Sequence, residues 1–463
     1  MDQENAAGPD LVVAGAGGGL AAALRAAQLG LSVLVVEADE HFQRGNNTSM
    51  STAMLPGAGT HWQTAAGIDD SPHQFACDLQ AKTHGESDDV LTSALTNVSA
   101  RLVEWLGGDI GLPLSLVTEF NYPGHSRLRC HSIPGHSGQS LLTSLVHLVR
   151  NSELIDLMVP ARLVDIQVNA GQVVGATVET PSGLESIPTK SVLTATNGFG
   201  ADKRLVQQHI PEIADAVYHG GSHSLGDALR IGEKLGAATG FLDAYQGHAA
   251  LADPSASLAS WATVMLGGFL VNRAGERYGD ESTGYSEYAS ESLKHADGQS
   301  WIILDAEIYE SCLSFADFQN VDSSGGIMWA DSVESLAEAT GIDAQGLSET
   351  FNSVVSYKSG KAVDPFGRTE WGNQMDAMNQ IGAIAVRPAL FHTQGGLRVD
   401  ENARVLTTEG KGIEGLYASG GAAMGISGHG ASGYLAGNGL LPAFGLAFLA
   451  AEDVHARIQR ENE

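Results

Sequence analysis

The run Asp10-Leu-Val-Val-Ala-Gly-Ala-Gly-Gly-Gly-Leu20, followed by Leu34-Val-Val-Glu37, constrains this chain more than any other stretch. A short apolar run ends in Gly15, Gly17, Gly18 and Gly19. An alanine-rich helix is expected from about Leu20 to Leu29, then a turn at Gly30 and a second apolar strand ending in an acid. That order predicts a β-α-β dinucleotide cradle. Glycines let the backbone turn tightly and approach a pyrophosphate, which sits on unpaired N–H groups at the helix N-terminus. Glu37 stands where a carboxylate accepts hydrogen bonds from adenosine ribose hydroxyls, and Ala38 follows it along the same wall. One departure from G-x-G-x-x-G is visible, because Leu20 stands where the third glycine would fall. A turn one residue shorter would leave the close helix–strand contact to Gly19 or Ala21.

At 463 residues the chain is long enough for two domains. A hydrophobic share of 43% with 57 glycines fits a loop-rich α/β protein rather than a disordered chain. The formal charge of −29 argues against nucleic acid or an anionic membrane as the main partner. Cys77, Cys130 and Cys312 lie far apart, without C-x-x-C or metal-ligand spacing, so no metal centre, iron–sulfur cluster or attached haem is expected. The acidic opening of residues 1–5 lacks the pattern of a secretory signal. The apolar stretch at about 439–451 is too short to cross a bilayer core of roughly 30 Å. A cytoplasmic protein is the expectation.

Beyond the cradle, a polar glycine-rich segment spans Gly45 to Gly59. Helical patterns follow at about Pro72–Thr83 and Val90–Leu106. Alternating runs near 161–168, 175–180 and 191–196 read as strands, the last ending in the turn Asn197-Gly-Phe-Gly200. From about 240 to 385 the composition shifts toward Tyr, Trp, Ser and Asp, which suggests a second domain inserted into the first. Strand and turn texture returns at Gly395-Gly-Leu-Arg-Val-Asp400 and Gly415-Leu-Tyr-Ala-Ser-Gly-Gly421, before an apolar helix at about 439–457.

Four later segments carry a more specific signal: Gln246-Gly-His248, the run Gly267 to Glu281 leading to Tyr285, His392-Thr-Gln-Gly-Gly396, and Gly415–Gly421 with Ser427-Gly-His-Gly-Ala-Ser-Gly-Tyr434. With these in order the chain resembles the flavoprotein family of fumarate reductases, succinate dehydrogenases and 3-ketosteroid dehydrogenases. The resemblance implies an α/β fold: a Rossmann-like FAD-binding domain (1–239 and 386–463) with an inserted α+β capping domain (240–385). It implies FAD between them. Asn46-Asn47-Thr48 matches the stretch where some members bond flavin covalently through His, and Asn47 at that position implies a non-covalent cofactor. The implied cofactor contacts also include Ser49, Gly57, Ala58, Gly59, Asn197, Gly198, Gly420, Gly421, Gly437, Asn438 and Leu440. The glycine-rich turn before the last helix is expected to aim that helix's N-terminus at the flavin and stabilise its anionic reduced ring.

The active-site motifs divide that family. His248 and His392 match two histidines of fumarate reductases, but both substrate arginines are missing: Glu281-Ser-Thr-Gly-Tyr285 and His429-Gly-Ala-Ser-Gly-Tyr434 have none. Arg is the natural bidentate partner of a carboxylate. Tyr285 instead resembles the proton-abstracting tyrosine of ketosteroid dehydrogenases, Tyr122 a second relay tyrosine, and Tyr434 a carbonyl-binding one. The resemblance therefore implies dehydrogenation, or in reverse reduction, of a C–C bond beside a carbonyl, on a cyclic ketone or keto-acid. A Tyr or His takes the proton, a donor steadies the enolate, and the flavin takes the hydride. No second cradle for NAD(P)H appears, so electrons are expected to pass to a quinone, an electron-transfer protein or oxygen. Two alternatives stand beside this. One is a di- or tricarboxylate enzyme using Arg127, Arg129, Arg277 or Arg398, and the other a non-catalytic flavin redox sensor. Arg273 and Arg277 match positions that hold the cap or touch substrate. The loop bearing His125, His131, His136, Arg127 and Arg129 reads as a positive substrate entrance.

Overall fold

The computed structural model describes residues 8–372 and 380–463. The acidic opening at 1–5 lies outside the described residues.

Leu11–Ala14 and Val33–Val36 form parallel neighbours, with Gly19–Gln28 as the crossover helix. Leu11, Val12 and Val13 are fully buried, as expected of a parallel strand covered on both faces. The sheet extends in the order Ile155–Met158, Val33–Val36, Leu11–Ala14, Val192–Thr194, Gly412–Ala418, all parallel. An antiparallel flap of Gln172–Thr180, Arg162–Asn169 and Gly183–Pro188 continues it. Gly19 makes the close helix–strand contact: a Cβ there would lie 2.6 Å from Val13 Cγ1. The strands at Ile155–Met158 and Gly183–Pro188 and the full length of the last helix, Leu440–Asn462, go beyond the sequence expectation.

The second sheet is organised by one 13-residue strand, Ile381–Thr393. Tyr245–Ala252, Ser300–Asp305 and Ile327–Ala330 pair antiparallel with it, and Phe269–Val271 extends it through Ser300–Asp305. Short helices, including Tyr285–His295 and Ala344–Lys358, cover its faces. Its apolar core, with Phe269, Ile302, Ile303, Phe318 and Ile384, is a cluster separate from that of the nucleotide sheet.

A buried ion network ties this region together. Arg277 donates to Glu281 at 2.6 Å and to Asp364 at 2.8 Å, and Arg368 donates to Glu281 at 3.3 Å and to the Val264 carbonyl at 2.6 Å. Both guanidinium groups lie over Trp371, at 4.8 and 4.2 Å. Two cations and two carboxylates balance, which is what allows such burial. Arg277 is thus a tie between strand and loop and does not face the cavity described below. Arg273 is exposed and bonds Gln299. Asp364→Ala leaves Arg277 undercompensated, so urea unfolding should show a loss of about 3–5 kcal/mol. A loss under about 1 kcal/mol would contradict this account of the network.

Candidate active site

One continuous cavity runs from the first β-α turn to the second sheet. At its first end Gly15 has φ of +115°, and a Cβ there would sit 2.2 Å from the Ala195 carbonyl oxygen. A Cβ on Gly18 would lie 2.7 Å from Ala443 Cβ, so the first and last helices touch through glycine. Both helices begin without a side-chain cap, and Gly18, Gly439 and Leu440 line the cavity. Two uncapped N-termini therefore offer N–H groups and positive potential to one ligand. Glu37 is buried and accepts from the Ala16 N–H at 2.7 Å and the Asp39 N–H at 2.8 Å. Burial raises its carboxyl above the usual range, opposed by those two donors. The buried hydroxyls of Thr196 and Ser419, both in the cavity wall, have no protein partner. Glycines that tolerate no side chain, a buried acid and unpartnered hydroxyls together fit a dinucleotide such as FAD.

Asn47 accepts from the Asn197 amide at 2.9 Å and the Gly221 N–H at 2.8 Å, and donates to the Phe391 carbonyl at 2.9 Å. It pins the 45–54 loop to the long strand that carries His392. Asn46 donates to the Ala16 carbonyl at 3.2 Å, closing the loop over the glycine turn.

The other end is aromatic. Gln246 pairs opposite His392, and a bulge follows before His248, which re-aims that side chain. The His248 ring stacks on Tyr285 at 4.6 Å and on Phe391 at 5.2 Å. Tyr285 opens the helix Tyr285–His295, which Ser286 ties to the strand by accepting from the Gly247 N–H at 3.0 Å. Tyr122 and Tyr434 meet Tyr285 edge-on, with ring centres at 6.4 and 5.9 Å, and Trp261 closes the wall at 6.4 Å. Tyr285 and Tyr434 are linked through their hydroxyls, and the Gly439 backbone also bonds Tyr434.

Desolvation sets the charge state of this end. Burial pushes His248 down to about 3, aided by His219, and pushes His392 down to about 4. Burial also holds the Tyr285, Tyr122 and Tyr434 phenols well above their ordinary value. Every titratable group here is neutral at pH 7. The charged side chains in the cavity wall, Glu37, Asp39, Arg162 and Asp227, all belong to the nucleotide end, where Arg162 is paired with Asp227 at 2.6 Å.

All five residues expected in the chemistry, Tyr285, His392, His248, Tyr122 and Tyr434, line the cavity. So do Gly15, Gly17, Gly18, Glu37 and Ala38, with Asn46, Asn47 and Thr48 beside them. Asn197, Gly420, Gly421, Gly437 and Leu440 complete the expected wall. Others face elsewhere. Gly19 packs on Val13, a Cβ on Gly198 would strike Thr393, and Ser49 donates to the Asn46 carbonyl. Gly57, Ala58 and Gly59 lead into the helix His61–Ala65 and pack against Val103, Ser99 and Gln63. Asn438 donates to Ser427 behind the wall.

The histidine loop is not a positive entrance. Arg129 is fully buried between Asp70 at 3.0 Å and Asp78 at 2.5 Å, and His125 and His131 are buried with it. Only Arg127 is exposed among the loop's charged pair, bonding the Asp69 carbonyl, and His136 rests on Phe315. Arg127, Arg129, Arg277 and Arg398 are all absent from the cavity wall, Arg398 lying 3.9 Å from Asp88. Trp261, Phe391 and Gln394 were not singled out from sequence. Gln394 sits inside the motif His392-Thr-Gln-Gly-Gly396, while Trp261 and Phe391 carried no local signal.

Comparison with known proteins bears on this cavity. The family model described as "FAD binding domain" matches residues 10–440. A probable fumarate reductase, Ifc3, of Shewanella frigidimarina (strain NCIMB 400) is 28% identical over 434 residues, covering 92% of this chain and 72% of that protein. A flavocytochrome c3 fumarate reductase, solved in its open conformation, superposes with a TM-score of 0.80 at 27% identity, over 96% of this chain and 78% of that one. The 3-ketosteroid Δ1-dehydrogenase of Sterolibacterium denitrificans gives a TM-score of 0.76 at 19% identity, over 97% and 99%, a likeness of fold. No helix among the described residues is long and apolar enough to cross a membrane, and no cluster of metal-ligating side chains occurs among them.

The buried neutral histidines make stability depend on pH. His125, His131 and His392 have folded values of about 4 and His248 about 3, all below the ordinary 6.5. The unfolded chain therefore binds protons first, and stability falls as pH drops from 6.5 toward 4. Each histidine contributes up to about 1.4 kcal/mol per pH unit. The raised carboxyls of Asp317, at about 6, Glu37 and Asp400 work in the opposite sense. Four histidines outweigh them, so the urea midpoint should be lower at about pH 5 than at about pH 7.5. An equal or higher midpoint at the acid pH would contradict the burial of neutral rings.

Proposed function

The chain belongs to the FAD-binding-domain family and is an FAD-dependent oxidoreductase, and from that premise we propose that it acts on the C–C bond beside an uncharged carbonyl. The observation that carries this reading is the substrate end of the cavity, where aromatic rings and neutral histidines stand and no Lys or Arg among the described residues lines the wall. Lys82, behind Tyr122, Tyr285 and Tyr434 in an adjoining pocket, is held by the Thr283 carbonyl at 2.7 Å and by Glu287 at 3.6 Å. Taking a carboxylate into a desolvated site costs several kcal/mol unless a cation or a set of donors offsets it. A ketone needs only donors.

FAD, when bound, supplies the two-electron hydride acceptor or donor. Tyr434, which the Gly439 backbone bonds, is placed to give a hydrogen bond to a carbonyl oxygen and steady enolate charge. Tyr285 holds the proton that the α-carbon loses or gains. Because burial keeps Tyr285 a phenol, it suits proton delivery in the reducing direction. In the oxidising direction the Tyr285 proton must first pass to solvent, since the linked Tyr434 is itself a protonated phenol and takes up no further proton. Trp261, Phe391 and the stacked His248 ring exclude water from the reacting bond. The electron partner is an external one: a quinone, an electron-transfer protein or oxygen.

The second reading, a di- or tricarboxylate enzyme, is favoured by the fumarate reductases among the relatives. It needs a cation at the substrate end, and the four arginines offered for that role are engaged with carboxylates or backbone elsewhere. Anaerobic flavin bleaching against cyclic ketones, ketosteroids, succinate and tricarballylate separates the readings, with enones and fumarate tested against the reduced protein. We expect turnover with a ketone or enone, slowed at least ~100-fold in Tyr285→Phe. Turnover with carboxylates alone would overturn the proposal. Flavin reduction without turnover of any of them would point to a redox sensor.

A further inference from the structure

Behind His392 lies a buried line of side chains that the reaction does not touch. The Asn438 amide donates to Ser427 Oγ at 3.0 Å, Ser427 Oγ donates to Gln394 Oε1 at 2.9 Å, and Gln394 Nε2 stands 3.0 Å from His392 Nδ1. Asn438, Ser427 and Gln394 are 1%, 1% and 4% exposed. We propose that Gln394 is a positioning residue that fixes His392 as the tautomer with its proton on Nε2, so that the ring presents a donor to the cavity.

Hydrogen-bond polarity carries the argument. Ser427 has one proton. With the Asn438 amide assigned as the donor, an orientation that leaves its Oδ1 buried without a partner, the Ser427 proton goes to Gln394 Oε1 and the Gln394 NH2 faces Nδ1. Nδ1 also lies 3.4 Å from the Thr393 carbonyl, but the Gln394 amide is nearer at 3.0 Å. An amide N–H at that distance requires a lone pair on Nδ1, and the neutral ring then carries its proton on Nε2. Nε2 faces the cavity side: a Cβ on Gly439 would sit 2.9 Å from it and 3.3 Å from the Tyr434 hydroxyl. The two donors thus converge on one spot. His248 is locked in the same sense by another route, its Nδ1 accepting from the Ala250 N–H at 3.1 Å. Two histidines on neighbouring strands both turn N–H groups, rather than lone pairs, toward the cavity. Neither is then a base, and the proton is left to Tyr285. The carbonyl-binding role of this donor pair rests on the function proposed above, whereas the tautomer does not.

The test is ¹⁵N NMR of the FAD-loaded protein labelled with [¹⁵N]histidine, with His392 identified by its loss in His392→Gln. The wild type should show Nδ1 bare and Nε2 protonated. Gln394→Glu puts an acceptor where the donor stood, and the His392 proton should move to Nδ1. Ser427→Ala frees the Gln394 amide to turn over and should give a mixture of both forms. A protonated Nδ1 in the wild type would overturn the proposal, and that spectrum needs no variant to fold. A wild-type tautomer persisting in a folded Gln394→Glu would overturn it equally. The expected tautomer in a protein that turns over only carboxylates would leave the relay standing and remove the carbonyl reading.

Discussion

The structure depends on a contact with no room for a side chain, where Gly18 at the start of the first helix meets Ala443 near the start of the last. A single methyl there would push apart two helices that lie far apart in the chain. Because they touch, both N-termini reach one cavity, the first at the glycine turn where a phosphate would carry negative charge and the last, through Gly439, beside His392 and Tyr434. The parallel sheet puts Glu37 beside that turn, since Val33–Val36 and Leu11–Ala14 are neighbours in register. Cofactor binding is thus a property of how the two ends of the chain close on each other.

The chemistry depends on a different constraint, the removal of water. The long strand Ile381–Thr393 brings His392 to the cavity, and its pairing with Tyr245–Ala252 brings His248. Around them, Tyr285, Tyr122, Tyr434, Trp261 and Phe391 fill the wall. Low polarity pushes acids and bases toward their neutral forms, so the two histidines, partly charged in water, are neutral here and the phenols stay protonated. The arginines that could have changed this are spent on internal ion pairs, most fully at Arg129 and Arg277.

The cradle was legible in the sequence because it is local: strand, glycine turn, helix and acid follow one another within forty residues. The five ring-bearing residues named from motif resemblance come from five distant segments, and the fold brings all of them to one cavity wall. What sequence could not show was long-range pairing. The loop holding Arg127 and Arg129 looked basic because its neutralising partners, Asp70 and Asp78, lie 59 and 51 residues away from Arg129. Gly57, Ala58 and Gly59 looked like a cofactor loop but serve to start a helix, since Thr60 caps it and Gln63 returns a bond. The relay through Gln394 and Ser427 was invisible because each residue is ordinary until the fold brings a turn behind a strand.

The central claim is that the reactive end recognises an uncharged carbonyl through neutral donors in a dry site. Binding, measured by the shift of flavin absorbance in the oxidised protein, tests it without any turnover. A cyclic enone or ketone should give a saturable shift whose midpoint stays constant from low to high salt, because no ion pair is formed to be screened. Fumarate or succinate binding more tightly than any ketone, with a midpoint that weakens as salt rises, would contradict the account.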